Sequence, residues 1–282
     1  MKNVKIIVCC HKDDIYKSSN LYMPLHVGKA LSDKDFNITA DNTGDNISDK
    51  NFSYCELTGM YWAWKNLKDV DYIGLCHYRR YFDFNHLGRK VFPMTTIKPE
   101  KFEELNLDIS PKAEKWLERG GCIIAKPSHF HTSLFLQYCE GHYSPDIKIL
   151  GDIIRNTQPA VYFQAFIDTF IRSNRFSPYN MFIMNRSDFD KYCTWLFTIL
   201  KQAEEQIDIT NYPPFQKRIF GYMGERLLNL YVYANKMKRM EVPILKISDD
   251  PEIDDMPALK YLVRSLLRDI AVKVTAEIPA TH

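Results

Sequence analysis

The sequence predicts an α/β fold with a mostly parallel central sheet flanked by helices. Short apolar runs bounded by turn-forming or polar residues recur at residues 4–10, 72–76, 122–125, 181–184 and 242–247. Longer segments with helical periodicity separate these runs, and this alternation is typical of parallel sheets. With 282 residues, of which 45% are hydrophobic, the chain can bury a substantial core.

The composition restricts the class of protein. Lysine and arginine total 37 against 35 for aspartate and glutamate, so a nucleic-acid-binding domain, which needs a strong basic excess, is not supported. Seven cysteines without a CxxC pair fit free thiols in a reducing compartment. The first apolar run is too short for a signal peptide, and no window reaches the about 20 apolar residues of a membrane span. We therefore expect a cytoplasmic protein.

Two segments carry signals for the start of a helix. Ser53 and Glu56 have the spacing of a capping box, which predicts that a helix begins at Ser53. Ser144 followed by Pro145 predicts a second start, with Asp146 in the first turn.

Two further helices are indicated by periodicity. Apolar residues at three- and four-residue spacing predict a buried helical stripe over residues 189–200. Another helix is predicted over residues 213–233, where Gly221 and Gly224 weaken the helix and are expected to permit close approach of another part of the backbone.

The likeliest boundary lies at an acidic, proline-containing stretch. We expect one domain over residues 1–247, followed over residues 248–282 by an acidic linker and a basic amphipathic helix that begins near Ala258. In this helix Lys260, Arg264 and Arg268 recur at four-residue intervals beside apolar residues. The simpler interpretation is a helix docked on the domain with a solvated basic face. The alternative is peripheral contact with the inner face of the cytoplasmic membrane.

The first candidate site follows the apolar run at residues 72–76, where His77, Tyr78, Arg79 and Arg80 come in succession. In open α/β sheets ligands bind at the carboxyl ends of strands. Two arginines there suit a diphosphate, because the guanidinium fork matches phosphate oxygens and stays charged. His77 suits a phosphate, a metal or a sugar hydroxyl. A surface loop whose arginines pair with carboxylates explains the pattern equally well.

Polar residues suited to nucleoside or sugar hydroxyls occur in two other places. Asp41, Asp45 and Asn46 lie in a run rich in Asn, Asp and Gly, which is first of all a turn. Asn180 precedes an apolar strand, where its amide either holds a sugar hydroxyl or closes a turn.

Glu225 and Asp146 are the candidate general bases, since deprotonation of a hydroxyl needs a group within hydrogen-bond reach. Glu225 follows the glycine-lined helix surface; its alternative is an exposed acid paired with Arg226 or Arg218. For Asp146 the alternative, an acid that favours a helix start, is stronger. No acidic pair follows a central strand as a clamp for metal and diphosphate would, so dependence on Mn²⁺ or Mg²⁺ is left open.

Seven strings in a fixed order carry a family resemblance: MPLHVGKA from Met23, DNTGDNIS from Asp41, YCELT from Tyr54, YWAWKN from Tyr61, HYRRYF from His77, NMFIM from Asn180 and GYMGERLL from Gly221. Together they resemble the bacterial capsular and exopolysaccharide glycosyltransferases once described only as a domain of unknown function. The resemblance covers residues 4–235. Each string alone is weak, but their joint order is specific.

The resemblance implies a GT-A-like nucleotide-binding sandwich over residues 1–247. It also implies transfer of a sugar, with galactofuranose as the leading candidate, from a UDP-sugar to a growing surface polysaccharide or lipid-linked glycan by inverting displacement. Glu225, or as second choice Asp146, is then the expected base. The expected donor-binding residues are Asp41, Asp45, Asn46, His77, Arg79, Arg80 and Asn180. A nucleotidyl- or phosphotransferase and a non-catalytic glycan-binding scaffold are the alternatives.

Overall fold

The computed structural model describes residues 3–88, 91–250 and 256–277. The strands are β1 (Val4–Cys10), β2 (Tyr22–His26), β3 (Thr39–Ala40), β4 (Tyr72–His77), β5 (Arg80–Phe82), β6 (Met94–Ile97), β7 (Cys122–Ala125), β8 (Ser128–His129), β9 (Arg175–Phe176), β10 (Phe182–Asn185), β11 (Arg239–Val242) and β12 (Ile244–Ile247). The α-helices are α1 (Asn51–Tyr54), α2 (Leu57–Asn66), α3 (Pro111–Glu118), α4 (Leu134–Gly141), α5 (Ser144–Thr157), α6 (Ala160–Phe166), α7 (Arg186–Gln206), α8 (Pro214–Lys217), α9 (Ile219–Ala234) and α10 (Ala258–Glu277).

The main sheet has the strand order β11-β7-β10-β4-β1-β2-β3. Neighbouring strands along this path are parallel except at β10, which runs antiparallel to both β7 and β4. Strands β5, β12 and β6 continue from β4 as an extension of the sheet. The predicted mostly parallel sheet flanked by helices is therefore confirmed.

The order of the strands reverses at β1. From β1 the chain moves outward through β2 and β3, and it then returns to place β4 on the other side of β1. Such a reversal leaves a crevice outside the carboxyl ends of the central strands, where open α/β sheets bind ligands.

The two faces of the sheet bury separate apolar clusters, which the alternation of side chains along β1 makes visible. Ile7 and Cys9 pack into the cluster that includes the helical stripe of α7, whereas Ile6 and Val8 pack against the opposite face. Most of the predicted stripe of α7 is fully buried, with Phe189, Tyr192, Cys193, Leu196 and Leu200 all at 0% exposure, whereas Phe197 is only partly buried.

Helix starts were predicted with mixed success. Helix α5 begins at Ser144 and α10 at Ala258, as expected. The capping box at Ser53 is wrong: α1 ends after a single turn, and Cys55 has a positive φ of 52° that interrupts the helix before α2. The hydroxyl of Ser53 donates instead to the carbonyl oxygen of Lys50 at 3.2 Å. Glu56 consequently stands at the break between two helices.

The apolar run at residues 242–247 forms two strands because Pro243 has no N–H group to donate to a ladder. Strand β11 pairs with β7, while β12 pairs with β5 and β6. The expected linker follows β12, and its residues Pro251 and Glu252 lie outside the described residues. Among the helices that the structure describes, none is long and apolar enough to cross a bilayer.

Candidate active site

A cavity of about 590 Å³ opens outside the carboxyl ends of β1, β2 and β4. These are the strands at which the sheet order reverses, so the position agrees with the general rule for α/β sheets. The residues that line it are Cys9, His11, Val27, Asn51, Phe52, Cys55, Glu56, His77, Tyr78, Arg80, Tyr179, Phe215, Arg218, Tyr222 and Glu225.

Helix α9 lies unusually close to the break between α1 and α2. A Cβ atom added at Gly221 would lie 3.0 Å from the sulfur of Cys55, and one added at Gly224 would lie 2.7 Å from Cδ1 of Leu57. Only glycine allows this approach, as the sequence predicted. The approach brings Glu225, the next residue on α9, to the wall of the same cavity as Glu56.

The carboxylates of Glu56 and Glu225 create an environment suited to a general base. Burial and, second, the negative charge of Glu56 raise the pKa of Glu225 to about 7. The positive charge of Arg226 opposes this rise. Glu225 forms no ion pair with Arg226 or with any other described residue, so the surface ion pair considered from the sequence does not occur. A carboxylate with a pKa near 7 can take up a proton at neutral pH.

His77 lines the cavity next to this pair, and the fully buried Asn180 lies behind its wall. The side-chain amide of Asn180 donates to Glu56 at 2.7 Å, and the Asn180 side-chain oxygen is buried without a described partner. Tyr179 and Asn180 have positive φ angles of 69° and 52°, a backbone geometry that often marks functional sites. Because the carbonyl oxygen of Tyr179 can only accept, His77 Nε2 donates to it at 2.8 Å. Burial lowers the pKa of His77, so the ring is neutral with its other nitrogen unprotonated.

Two arginines supply positive charge to the cavity. Arg80 stacks on the ring of Tyr179 at 4.4 Å, and its buried Nε has no hydrogen-bond partner among the described residues. Arg218 donates from Nε to the sulfur of Cys55 at 3.3 Å. Burial raises the pKa of the Cys55 thiol to about 11, so this thiol does not neutralise Arg218. Within the described ranges neither arginine pairs with a carboxylate, which leaves both able to bind an anion.

Arg79 does not join them. Its guanidinium bonds to Asp14 at 2.9 Å and 3.0 Å and to Asp249 at 2.8 Å, and it does not line the cavity. The reason is a tight hairpin: His77 pairs with Arg80, so Tyr78 and Arg79 form the turn between β4 and β5. The sequence could not separate these neighbouring arginines. The carboxylate-paired interpretation is confirmed for Arg79, and binding of a diphosphate by Arg80 stays a prediction.

Asp41 stands apart from the cavity and organises a loop. It is fully buried and accepts from the backbone N–H groups of Gly28 at 2.9 Å and Lys29 at 3.1 Å. The hydroxyls of Ser48 and Thr58 also donate to it, the latter at 2.7 Å. With its oxygens so occupied, Asp41 stabilises the fold near the site without reaching it.

The remaining predicted residues are likewise outside the cavity. Asp45 accepts from the hydroxyl of Tyr61 at 3.1 Å, and Asn46 bonds within its own turn. Asp146 accepts from Tyr212 at 2.8 Å near the start of α5, and burial raises its pKa. Of the predicted residues, His77, Arg80 and Glu225 line the cavity, and Asn180 contacts it only through its hydrogen bond to Glu56. Asp41, Asp45, Asn46, Arg79 and Asp146 do not line it.

Sequence reasoning missed Glu56 and Arg218 as site residues. The sequence interprets Glu56 as part of a capping box. Glu56 also lies in YCELT, one of the strings that carry the family resemblance. Arg218 precedes the two glycines of α9 and was considered only as a partner of Glu225. A signal was present for Arg218, since a cation just before a helix surface that something approaches closely is well placed for a ligand.

Metal binding was also tested against the geometry. In the parts of the chain that the structure describes, no three His, Cys, Asp or Glu side chains come together as a metal site.

Two grooves smaller than the cavity are found near it. A groove of about 460 Å³ shares Phe52 with it and contains Glu204 and Glu205. A further groove of about 390 Å³ shares these two glutamates and includes the aromatic residues Tyr61 and Trp64. The cavity and the first groove thus share one lining side chain, and the two grooves share two.

Comparison with known proteins gives a family and a structural relative. The family described as a domain of unknown function (DUF4422) matches residues 5–236. The apo structure of the WbbM bifunctional glycosyltransferase superposes with a TM-score of 0.79 at 30% sequence identity. The match covers 88% of this chain and 46% of that one, so the chain spans less than half the length of that relative. No curated protein matched the sequence significantly.

Proposed function

The chain belongs to the DUF4422 family, and from this premise we propose that it is a nucleotide-sugar-dependent glycosyltransferase that acts by inverting displacement. One observation carries the proposal: a single cavity holds two arginines that pair with no carboxylate of the described residues, together with a half-buried glutamate whose pKa is raised to about 7. Cations suit a leaving diphosphate, and such a glutamate suits an attacking hydroxyl. The structural likeness to a bifunctional glycosyltransferase supports the same reaction class.

In this proposal Arg80 and Arg218 bind the donor diphosphate. Negative charge on the diphosphate grows as the bond to the sugar breaks, and fixed guanidinium groups stabilise that charge. Arg218 takes the place that the sequence suggested for Arg79, because Arg79 is already paired with Asp14 and Asp249. We place the nucleoside next to His11 and Val27, at the carboxyl ends of β1 and β2. A UDP-sugar, with galactofuranose as the leading candidate, is the proposed donor.

Glu225 is the proposed base. As the acceptor oxygen forms its bond to the anomeric carbon, the bond from that carbon to the diphosphate breaks, the hydroxyl proton passes to Glu225, and the nucleoside diphosphate leaves. A single displacement inverts the anomeric centre. The second ring nitrogen of His77, which lines the cavity, is the proposed acceptor for a sugar hydroxyl, while the buried Asn180 holds Glu56 in position.

The grooves beyond Phe52 are the proposed path of the acceptor. Aromatic side chains such as Tyr61 and Trp64 offer apolar faces beside polar groups, a combination that suits sugar rings. Their adjoining arrangement fits a chain of several sugars, such as a growing surface polysaccharide or a lipid-linked glycan.

A thermal-shift screen of nucleotide sugars with and without Mn²⁺ tests the proposal. A ligand at 100 times its dissociation constant should stabilise the fold by about 2.7 kcal/mol, which is readily measured. Product analysis then identifies the reaction, since a glycosyltransferase releases UDP and a nucleotidyltransferase releases pyrophosphate. Binding of oligosaccharide without any donor-dependent shift would indicate a non-catalytic scaffold and would contradict the proposal.

A further inference from the structure

Helix α10 presents an apolar face to solvent. Seven of its large apolar side chains are between 49% and 74% exposed: Leu259, Leu262, Val263, Leu266, Leu267, Ile270 and Val274. They account for almost half of the exposed large hydrophobic residues in the described chain, of which there are fifteen. Contiguous exposed apolar surface on this scale marks an interaction site.

The helix is held to the domain by its opposite side. Arg268 donates to the carbonyl oxygen of His129 at 2.8 Å, and Asp269 lies 2.6 Å from Nδ1 of the same histidine. Ser265 and Val272 are buried along this seam. Because residues three and four apart share one side of a helix, this seam directs the apolar residues away from the domain. The apolar face is therefore exposed because these contacts fix the opposite side of α10 to the domain.

Three basic side chains that form no ion pair with the described residues border the apolar face. Lys260 and Arg264 follow one another along one edge of it, and Lys273 lies on the other edge. None of the three pairs with a carboxylate in the described ranges. The one acid of the helix with a described side chain, Asp269, is engaged by His129. The surface that covers this face must therefore be apolar at its centre and anionic at its margins.

We propose that α10 seats the protein on an anionic lipid surface. The apolar side chains enter the boundary between headgroups and acyl chains, while Lys260, Arg264 and Lys273 contact lipid phosphates. A second copy of the chain fits less well, because antiparallel packing of two such helices brings the edge with Lys260 and Arg264 against the same edge of its partner. The inference stands without the proposed glycosyl transfer.

Sedimentation with vesicles tests the proposal. The protein should bind vesicles of phosphatidylcholine and phosphatidylglycerol, bind phosphatidylcholine alone much more weakly, and be partly released by salt. Leu266→Gln with Leu267→Gln should weaken binding roughly tenfold or more, since glutamine keeps helix propensity but loses the apolar transfer. The matched control replaces Leu136 and Val161, which are 53% and 50% exposed on other helices, by glutamine and should bind as the original does.

The contribution of charge is tested separately. Lys260→Glu with Arg264→Glu should also weaken binding roughly tenfold or more, whereas the equal change in net charge from Lys112→Glu with Lys115→Glu on α3 should have little effect. Circular dichroism establishes that each variant is folded. The proposal is overturned if anionic vesicles do not bind the folded protein or if the controls lose binding equally. It is also overturned if the original protein does not bind vesicles but forms a dimer in sedimentation velocity, and if the leucine variant loses that dimer.

Discussion

The buried side-chain amide of Asn180 donates a 2.7 Å hydrogen bond to Glu56. This contact holds one of the two carboxylates of the cavity. No described side chain hydrogen-bonds to the carboxylate of the other, Glu225, whose partner is the backbone of Tyr179. Carboxylates in different environments take different roles, because the environment separates their proton affinities. The contact thus favours Glu225, whose pKa is raised to about 7, as the group that exchanges a proton, with Glu56 held beside it by Asn180.

Replacement of Glu225 by glutamine should stop the proposed proton transfer with little effect on donor binding. We expect kcat to fall by about 10² to 10⁴, the usual contribution of a general base. Steady-state assays of UDP release, with calorimetric titration of the donor, measure the two effects separately. Equal losses of turnover and donor affinity would show that Glu225 supports the structure of the site and not the reaction.

The pH dependence of kcat/KM should report the ionisation of Glu225. The base must be deprotonated, so activity should rise with pH through an apparent pKa of about 7. In Glu56→Gln the repelling charge is lost, which lowers the pKa of Glu225 and shifts the rise to lower pH. The exposed Glu114→Gln on α3, outside the cavity and the grooves, is the matched control and should leave the pH profile unchanged. A pH profile that does not shift in Glu56→Gln would contradict the proposal that Glu225 is the base and that Glu56 raises its pKa.

The neighbouring arginines should behave differently. Arg80→Ala removes a cation from the cavity and should weaken UDP binding by about tenfold to a hundredfold, because a charged hydrogen bond typically contributes 1.5–3 kcal/mol. Arg79→Ala should retain UDP affinity, since Arg79 is paired with Asp14 and Asp249 outside the cavity. Calorimetric titration with UDP decides the matter. If Arg79→Ala lost as much affinity as Arg80→Ala, the division of the two arginines would be wrong.

The close approach of α9 to α2 should be sensitive to side-chain size. Gly224→Leu must displace the buried Leu57, whose Cδ1 lies 2.7 Å from the position of an added Cβ. We expect a loss of about 1–3 kcal/mol in the free energy of unfolding, together with a loss of turnover. Gly141→Leu on α4 is the control, because an added Cβ meets nothing within 4 Å there. Urea denaturation of both variants tests this, and equal stabilities would contradict the packing described.

The free energy of unfolding should depend on pH through the ionisation of Glu225. Its pKa is raised in the folded state, so the folded protein retains a proton that the unfolded chain has already released. Stability from this group is therefore lost as pH rises from the unfolded value toward and through about 7. Glu225→Gln should stabilise the fold by about 1–3 kcal/mol near pH 8 and have little effect near pH 4, as thermal unfolding at the two pH values would reveal. A stabilisation that is independent of pH would point to a different cause.

Local patterns in the sequence were enough to predict the α/β architecture. Strands β1 and β7 coincide with the predicted apolar runs, and α5, α7 and α10 match their predicted starts or stripes. The physical reason is that burial of one face imposes a period of 2 on a strand and about 3.6 on a helix, and this period is written along the chain itself. Gly221 and Gly224 likewise predicted that another part of the chain packs closely against α9, because glycine weakens a helix and is otherwise rarely of use within one.

The tertiary structure decided which of the polar residues meet. Arg79 and Arg80 are neighbours in sequence, yet the turn between β4 and β5 gives one to Asp14 and Asp249 and the other to the cavity. Glu56 became a site residue only because the chain leaves helical geometry at Cys55 and because α9 packs against that break. Periodicity records which face of an element is buried, but the direction of a polar side chain at a turn depends on partners that are distant in sequence.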